Sequence, residues 1–360
     1  MTTSSSRFLS LFKLDLPLIQ APMAGVQDHR LVVAVSKTGG LGSLPAAMLS
    51  LDVLRSELTH ICAQTDRPYN VNFFCHTPPV PGAVSDAREA TWRAALKPYY
   101  EELGLNVNNI PTGPGRAPFT AEAADVLEAF KPPVVSFHFG LPAADLLARV
   151  RSWGSNIIAS ATTVEEALWL EAQGVDAVIA QGLEAGGHRG HFLSHDLTKQ
   201  LGTFALLPQI VQAVKVPVIA AGGIADAACV AAAMALGAAA VQVGTAYMLC
   251  PEATTSPLHR AALKNLALQS PATHTALTNL FTGRPARGIV NRLMRELGPI
   301  STAAPEFPLA TGGIAPLRAA AEKAGNGDFT PLWSGQNASG CHEISAAELT
   351  RALVAHLKTT

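Results

Sequence analysis

The sequence predicts a (β/α)8 barrel, a TIM-barrel member of the α/β class, and three observations carry the prediction. Short apolar runs recur at fairly regular spacing over residues 16–247, and each of them but the last leads into a helical pattern. The runs are apolar almost throughout and do not alternate, which is how strands covered on both faces read. The first run ends in QAPMAG with no GxGxxG, so the doubly wound open sheet is the weaker alternative. Eight such units in roughly 250 residues is the accounting of a closed barrel.

Taken in order, LPLIQAPM (16–23) is the first strand and HRLVVAVSKTGG its helix. LGSLPA (41–46) leads into LDVLRSELTHICAQ, and YNVNFF (69–74) into a longer Pro-rich segment. VVSFHF (134–139) precedes PAADLLARVRSWG, and NIIASA (156–161) precedes TVEEALWLEAQG. AVIAQG (177–182) runs into a polar loop and then TFALLPQIVQAV. VPVIAAGG (216–223) precedes IADAACVAAAMALG, and AAVQVGTAY (239–247) closes the series. Glycines end several of these helices, as C-caps do: KTGG, AQG and ALG. Two regions stand outside the repeat. Residues 76–118 hold HTPPVPG and PTGPGRAP around a helix near 86–103, and residues 251–360 carry Pro, Gly and several short helices. No charged or low-complexity linker separates them, so residues 1–360 read as one domain with an insertion at 76–118 and a C-terminal elaboration at 251–360 packed on the barrel.

Composition narrows the function classes. A chain with 48% hydrophobic and 15% charged residues is compact rather than disordered. A formal charge of −1 steers it toward neither nucleic acid nor an anionic membrane. No apolar run has the length of a membrane span, and MTTSSSRFLSLFKLDLPL lacks the core and cleavage site of a signal peptide. The cysteines are odd in number and form no CxxC, the usage of reduced thiols in a cytoplasmic protein. Cys75 reads as a small buried hydrophobe before it reads as a reactive thiol. Monomer and homodimer both remain open.

Chemistry in such a barrel sits at the C-terminal ends of the strands, and the unusual residues fall there. AAGGIAD puts Gly222 and Gly223 between the seventh strand and its helix, where backbone N–H groups and a helix N-terminus can close on an anion. QVGTAY adds Gly244 and the hydroxyl of Thr245 on the next strand. A lone Gly-Gly pair is only a tight turn; two such turns on the last two strands point to a phosphate. Asn72, Gln181 and Gln242 are strand-end amides suited to the edge of a heterocycle, although each is equally readable as a satisfied structural hydrogen bond. Met23 offers backbone and a soft side chain to a flat ring. One phosphate, one polar edge and one apolar face fit flavin mononucleotide (FMN).

The loop QGLEAGGHRGHF (181–192) singles out His188, which follows two glycines and is a candidate base or electrostatic partner. Glu184 and Arg189 read as an ion pair bracing the loop, or as idle surface charges. The run His188, His191, His195, Asp196 has a metal-like spacing, but a glycine-broken loop need not converge, so no metal is expected. Paired carboxylates, GxSxG and a P-loop are all missing.

Together these residues resemble the FMN-dependent nitronate monooxygenases, formerly 2-nitropropane dioxygenases. The matching pieces are QAPMAG, NVNFF, VVSFHFGLP, QGLEAGGHRG, AAGGI, QVGTAY, TGRPARG and PLWSGQ, in order over residues 17–336, and SFHFGLP with QGxEAGGHRG is similar to the class I subgroup. The resemblance implies FMN contacts at Met23, Asn72, Gln181, Gly186, Gly187, Gly222, Gly223 and Gln242 through Val243 and Gly244 to Thr245, with Trp333, Gly335 and Gln336 folding back onto the flavin. It puts His188 near the reactive part of the ring as the catalytic residue and His138 in the substrate pocket. It implies oxidation of an alkyl nitronate, propionate 3-nitronate in the family, by one-electron transfer to flavin and reaction with O2, giving a carbonyl compound and nitrite. The alternative on the same barrel is an NAD(P)H-dependent FMN reductase of the quinone or enoyl-acyl-carrier-protein type. The chain departs from the pattern in residues 306–330, which are Gly- and Ala-rich, with Phe329 where class I relatives tend to carry pocket-closing Tyr and Lys.

Overall fold

The structure, a computed structural model, describes residues 3–80, 82–110, 116–268 and 273–357. Its strands are β1 (Leu18–Gln20), β2 (Gly42–Pro45), β3 (Tyr69–Phe74), β4 (Val134–His138), β5 (Asn156–Ala161), β6 (Ala177–Gln181), β7 (Gly187–His188), β8 (Val218–Ala221), β9 (Ala240–Val243), β10 (Thr275–Thr278) and β11 (Ala286–Ile289). Its helices are α1 (Thr3–Phe12), α2 (His29–Lys37), α3 (Leu51–Gln64), α4 (Ala83–Glu102), α5 (Ala121–Phe130), α6 (Ala144–Ser152), α7 (Val164–Ala172), α8 (Thr203–Ala213), α9 (Ala227–Ala235), α10 (Pro257–Ala267), α11 (Arg292–Glu296), α12 (Ala310–Lys323) and α13 (Ala346–Leu353).

The eight predicted strands pair in parallel in the order β1-β9-β8-β6-β5-β4-β3-β2. A bridge between Ile19 and Leu41 joins the two ends, through Gln20 N–H to Leu41 O and Leu41 N–H to Leu18 O, each 2.9 Å. The outward side chains of the strands and the inner faces of the helices form one large core. The helix starts are set by side-chain caps, Asp28 on α2, Ser50 on α3, Thr163 on α7 and Asp226 on α9, each contributing about 1 kcal/mol.

The barrel interior has two ends of different chemistry. At the N-terminal mouth Phe8, Phe12 and Leu14 pack against Val134, Ala177, Ala239 and Ala240. The apolar patch of the N-terminal segment is therefore helix α1, which plugs the barrel; burying each phenyl ring stabilises it by roughly 1.5–3 kcal/mol. Higher in the barrel the interior is polar. Asn70 Nδ2 donates to Ser43 Oγ and Ser136 Oγ at 3.0 and 2.9 Å, and Asn72 Nδ2 donates to Ser136 Oγ at 2.9 Å.

The two elaborations pack on each other. Trp92, Leu96, Tyr99 and Tyr100 of α4 share a second core with Ile314, Leu317 and Ala321 of α12 and with Phe281, Met294 and Phe329. Tyr100 OH donates to Gly313 O at 2.7 Å, and a Cβ on Gly313 would lie 2.7 Å from Leu96 Cδ1 and 3.0 Å from Trp92 Nε1, so a larger residue there would push those side chains aside. The helix expected near 86–103 is α4, and the Pro- and Gly-rich stretch 111–115 lies outside the described residues. The C-terminal region holds more than short helices. β10 and β11 form an antiparallel hairpin, and β11 pairs antiparallel with β7 of the loop after β6, giving a three-stranded sheet. Among the described residues no helix is long and apolar enough to cross a membrane.

Candidate functional site

A cavity of about 270 Å³ opens at the C-terminal ends of the barrel strands. Most residues expected from the strand ends line it: Met23, Asn72, His138, Gln181, Gln242, Gly244 and Thr245, with Gly222 and Gly223 beyond β8. Gly186, Gly187 and His188 line it from the loop after β6, and Trp333 and Gly335 from the C-terminal segment. Two expected contacts lie elsewhere. Val243 is buried in the outer core of the barrel, and Gln336 is exposed, with its backbone N–H donating to Glu184 O at 2.9 Å.

The amides divide by what the protein already asks of them. Gln181 is engaged at both atoms: its Nε2 donates to His188 O at 2.9 Å and its Oε1 accepts from Gly190 N–H at 2.7 Å. It shapes the loop and, lining the cavity, keeps one N–H and one lone pair for a ligand. Asn72 spends its Nδ2 on Ser136. Gln242 Oε1 is buried with no partner, a state that costs about 1–3 kcal/mol unless a ligand supplies a donor.

The loop Gln181–Phe192 is held from below. Arg189 is fully buried, donating from Nη1 to Gly182 O at 2.6 Å, from Nη2 to Gln181 O at 2.8 Å and from Nε to Gln200 Oε1 at 3.0 Å. Glu184 accepts from Thr203 N–H and, at 2.8 Å, from Thr203 Oγ1. The two charges do not pair with each other and neither is idle on the surface, contrary to the sequence reading; each satisfies neutral groups at the end of β6 or the start of α8. Buried Glu166 takes the far end, accepting from Phe192 N–H at 2.6 Å and Leu193 N–H at 3.2 Å. At Gly186 a Cβ would lie 2.5 Å from Gly335 N, so only glycine lets the loop and the C-terminal segment meet over the cavity.

His138 and His188 meet at a backbone atom. His138 Nε2 lies 3.1 Å from His188 O and its Nδ1 3.0 Å from Ser160 Oγ. A carbonyl only accepts, so His138 carries its proton on Nε2 and accepts from Ser160 on Nδ1. Both nitrogens are thus in use. Burial is the first cause that pushes His138 down to about 3, and it holds His188 well below the ordinary imidazole range, with Arg116 next among the causes. His188 is therefore neutral near pH 7. Its ring is hemmed by Phe74, Phe139, Phe307 and Trp333, with centroids 5.4–5.9 Å away. Phe139 itself has φ 72°, a left-handed backbone that a bulky residue adopts at a cost of order 1–3 kcal/mol, immediately after the histidine of β4.

Sequence reasoning missed the cations and aromatics that the two elaborations bring. Arg116 is buried and lines the cavity, donating from Nη1 to Thr311 Oγ1 at 2.9 Å and lying 5.8 Å from the Phe307 ring centroid. Arg284 lies 4.0 Å over the Phe139 ring. In the departing 306–330 stretch, Phe329 is in the second core against Tyr99, not in the cavity; Phe307 against His188, and Arg318 and Thr330 lining the cavity, are what this stretch sends to the site. Burial holds the Cys75 thiol well above its ordinary range, which disfavours the nucleophilic thiolate. Among the described residues no three of His, Cys, Asp and Glu gather to hold a metal, and His191 and His195 meet edge to face. Dialysis against a strong chelator is expected to leave activity intact; loss of activity restored by a divalent ion would give that histidine run back its ligand role.

Comparison with known proteins accords with this geometry. The family model described as nitronate monooxygenase matches residues 5–356. A nitronate monooxygenase of Pseudomonas aeruginosa is 40% identical over 98% of this chain and 99% of its own length. One from Paraburkholderia phytofirmans is 41% identical over 99% of this chain and 96% of its own. The solved structure of a nitroalkane oxidase from Streptomyces ansochromogenes superimposes with a TM-score of 0.85 at 38% identity, covering 97% of both chains. With its parallel barrel, its glycine-lined cavity and these relatives over nearly its whole length, the chain belongs to the nitronate monooxygenase family of flavin-dependent oxidoreductases.

Proposed function

We propose that this protein is an FMN-dependent nitronate monooxygenase, converting an alkyl nitronate and O2 to a carbonyl compound and nitrite. The observation that carries the reading is the division of labour around the cavity. At one side Gly222, Gly223, Gly244 and Thr245 leave backbone open at the ends of β8 and β9; between lies the unpartnered amide of Gln242; at the other side stand His188 and Arg116. These residues fit FMN. Gly222 and Gly223 have φ 117° and 73°, and the glycines with Thr245 would take the phosphate. Gln242 Oε1 would take a ring N–H, Asn72 would present its remaining amide oxygen, and Met23 and Trp333 would pack on the ring. Bound there, FMN supplies the redox chemistry, taking electrons from the substrate and passing them to O2.

The protein's share is to bind and orient an anion. Arg116 donates from its side chain to a neutral hydroxyl and forms no ion pair with a carboxylate among the described residues. His188 rests neutral. An arriving nitronate favours a proton on the imidazole, so binding takes up a proton and the ring then donates to the anion. Where the substrate is a neutral nitroalkane, the same nitrogen receives the Cα proton while the C–H electron pair becomes the C=N bond of the nitronate.

The test is oxygen uptake with an alkyl nitronate, run with and without NADH or NADPH, together with chromatography of the released flavin. FMN release and nitronate-dependent uptake that ignores the nicotinamide are expected. Release of FAD would overturn the one-phosphate argument. Inert nitronate with anaerobic bleaching of the flavin by NADH or NADPH would make the protein a reductase.

A further inference from the structure

The polar partner of His188 comes from the hairpin that the sequence did not reveal. Thr282 is buried in the turn between β10 and β11, and its Oγ1 lies 2.9 Å from His188 Nε2. The same oxygen is 3.3 Å from Arg284 O and 3.4 Å from Arg284 N. Only one assignment of protons makes all three contacts hydrogen bonds. The carbonyl of Arg284 accepts, so the Thr282 hydroxyl donates to it; the Arg284 N–H donates to Oγ1; and His188 must then donate from Nε2. Were the hydroxyl to donate to Nε2 instead, the contact with Arg284 O would be lost. The turn is held firmly, because a Cβ on the next residue, Gly283, would lie 2.3 Å from Pro305 O. The four aromatic rings around His188 fix its plane.

The geometry points to Thr282 as the positioning residue for His188: its oxygen accepts the Nε2 proton, which leaves Nδ1 open to the cavity and lets the ring take a second proton there. The charged and titratable groups that face the imidazole are Arg116 and His76 from the segment after β3, His138 from β4, and Arg284 beside Thr282. All of them oppose a proton on the ring or are neutral. Thr282 is the neighbour that accommodates both protonation states, since it accepts from Nε2 whether or not Nδ1 carries a proton. The catalytic half of this inference rests on the nitronate reading; the position of the resting proton does not.

The experiment uses the full-length, flavin-loaded protein with Thr282→Val and Thr282→Ser. Histidine labelled with 15N in the ring gives the protonation of His188, assigned by the signal lost in His188→Asn. Steady-state rates with ethyl nitronate across pH give KM and kcat. In the parent the resting proton is expected on Nε2. Thr282→Val should give a mixture of tautomers and raise KM for ethyl nitronate roughly ten- to a hundredfold, the worth of one hydrogen bond to a charged group. It should also move the pH at which the rise of KM levels off to a lower value, and change kcat less. Thr282→Ser, which keeps the hydroxyl, should restore the tautomer and the profile. A parent proton on Nδ1, or a Val variant with unchanged tautomer and unchanged pH profile, overturns the inference. If Thr282→Val does not fold, the parent spectrum decides. If ethyl nitronate is not turned over at all, the functional reading falls while the spectrum still tests the role of Thr282.

Discussion

Gly223→Asp is expected to purify without flavin. The reason is charge more than space. A Cβ at this position would meet only Glu184 Cβ and Cγ, at 3.5 and 3.6 Å, both ordinary contacts. The backbone there has φ 73°, which costs a side chain roughly 1–2 kcal/mol. A carboxylate placed about 4 Å from a phosphate opposes it by about 4 kcal/mol per pair of unit charges at an effective dielectric of 20. That is on the order of a thousandfold in flavin affinity. Gly223→Asn separates the two terms, because asparagine has the shape of aspartate, tolerates left-handed backbone and carries no charge. The measurement is the flavin-to-protein absorbance ratio after gel filtration, with a thermal melt to show that each variant folds. Asp should be nearly colourless and Asn should keep most of its flavin. If the Asp variant folds and holds stoichiometric flavin, Gly222 and Gly223 are a turn and nothing more.

The strands of the barrel were legible because burial on both faces leaves a mark that needs no partner to interpret. NIIASA and YNVNFF coincide with β5 and β3, residue for residue. The sheet that closes over the site left no such mark. β7 is two residues long, one of them glycine, and ARGI of β11 carries a buried arginine, so neither shows the alternation of an antiparallel strand. Those strands exist because the loop after β6 and the C-terminal hairpin find each other, a long-range fact. The amides show the same boundary. Gln181 and Gln242 sit alike at strand ends, yet one is spent on two backbone groups and the other has a buried oxygen with none. Residue type tells that a hydrogen bond is owed; only the fold tells to whom. Arg189 went the same way. A charged residue between glycines reads as surface, and its burial follows from three acceptors gathered by β6 and by Gln200. Arg116 reaches the cavity, and Phe307 the ring of His188, from regions whose sequence has no periodicity to place them.

His188→Asn is expected to lower kcat/KM for a preformed alkyl nitronate by about tenfold to a thousandfold, the range for removing one preorganised electrostatic or acid–base group. Asparagine can still bond to Thr282 but takes no proton, so the variant loses the proton uptake that accompanies anion binding. The sign of the pH effect follows. In the free protein burial holds the ring neutral near pH 7, and an anion in the cavity raises its proton affinity. Binding therefore takes up a proton, and parent KM for the nitronate should rise with pH between the low pKa of the free ring and the raised pKa of the complex, and level off above the latter. His188→Asn should show a high KM that is flat over the same range. Neutral nitroalkane turnover should also be lost, because His138 has both nitrogens committed, to His188 O and Ser160, and no free lone pair there takes the Cα proton. The flavin-to-protein ratio must match the parent for the rates to be compared. Loss on nitroalkanes with nitronates spared would make His188 a base and nothing else, and would end its role in holding the anion. Parent rates and parent pH dependence on both substrates would remove it from the chemistry altogether, leaving Arg116 as the cation that meets the substrate.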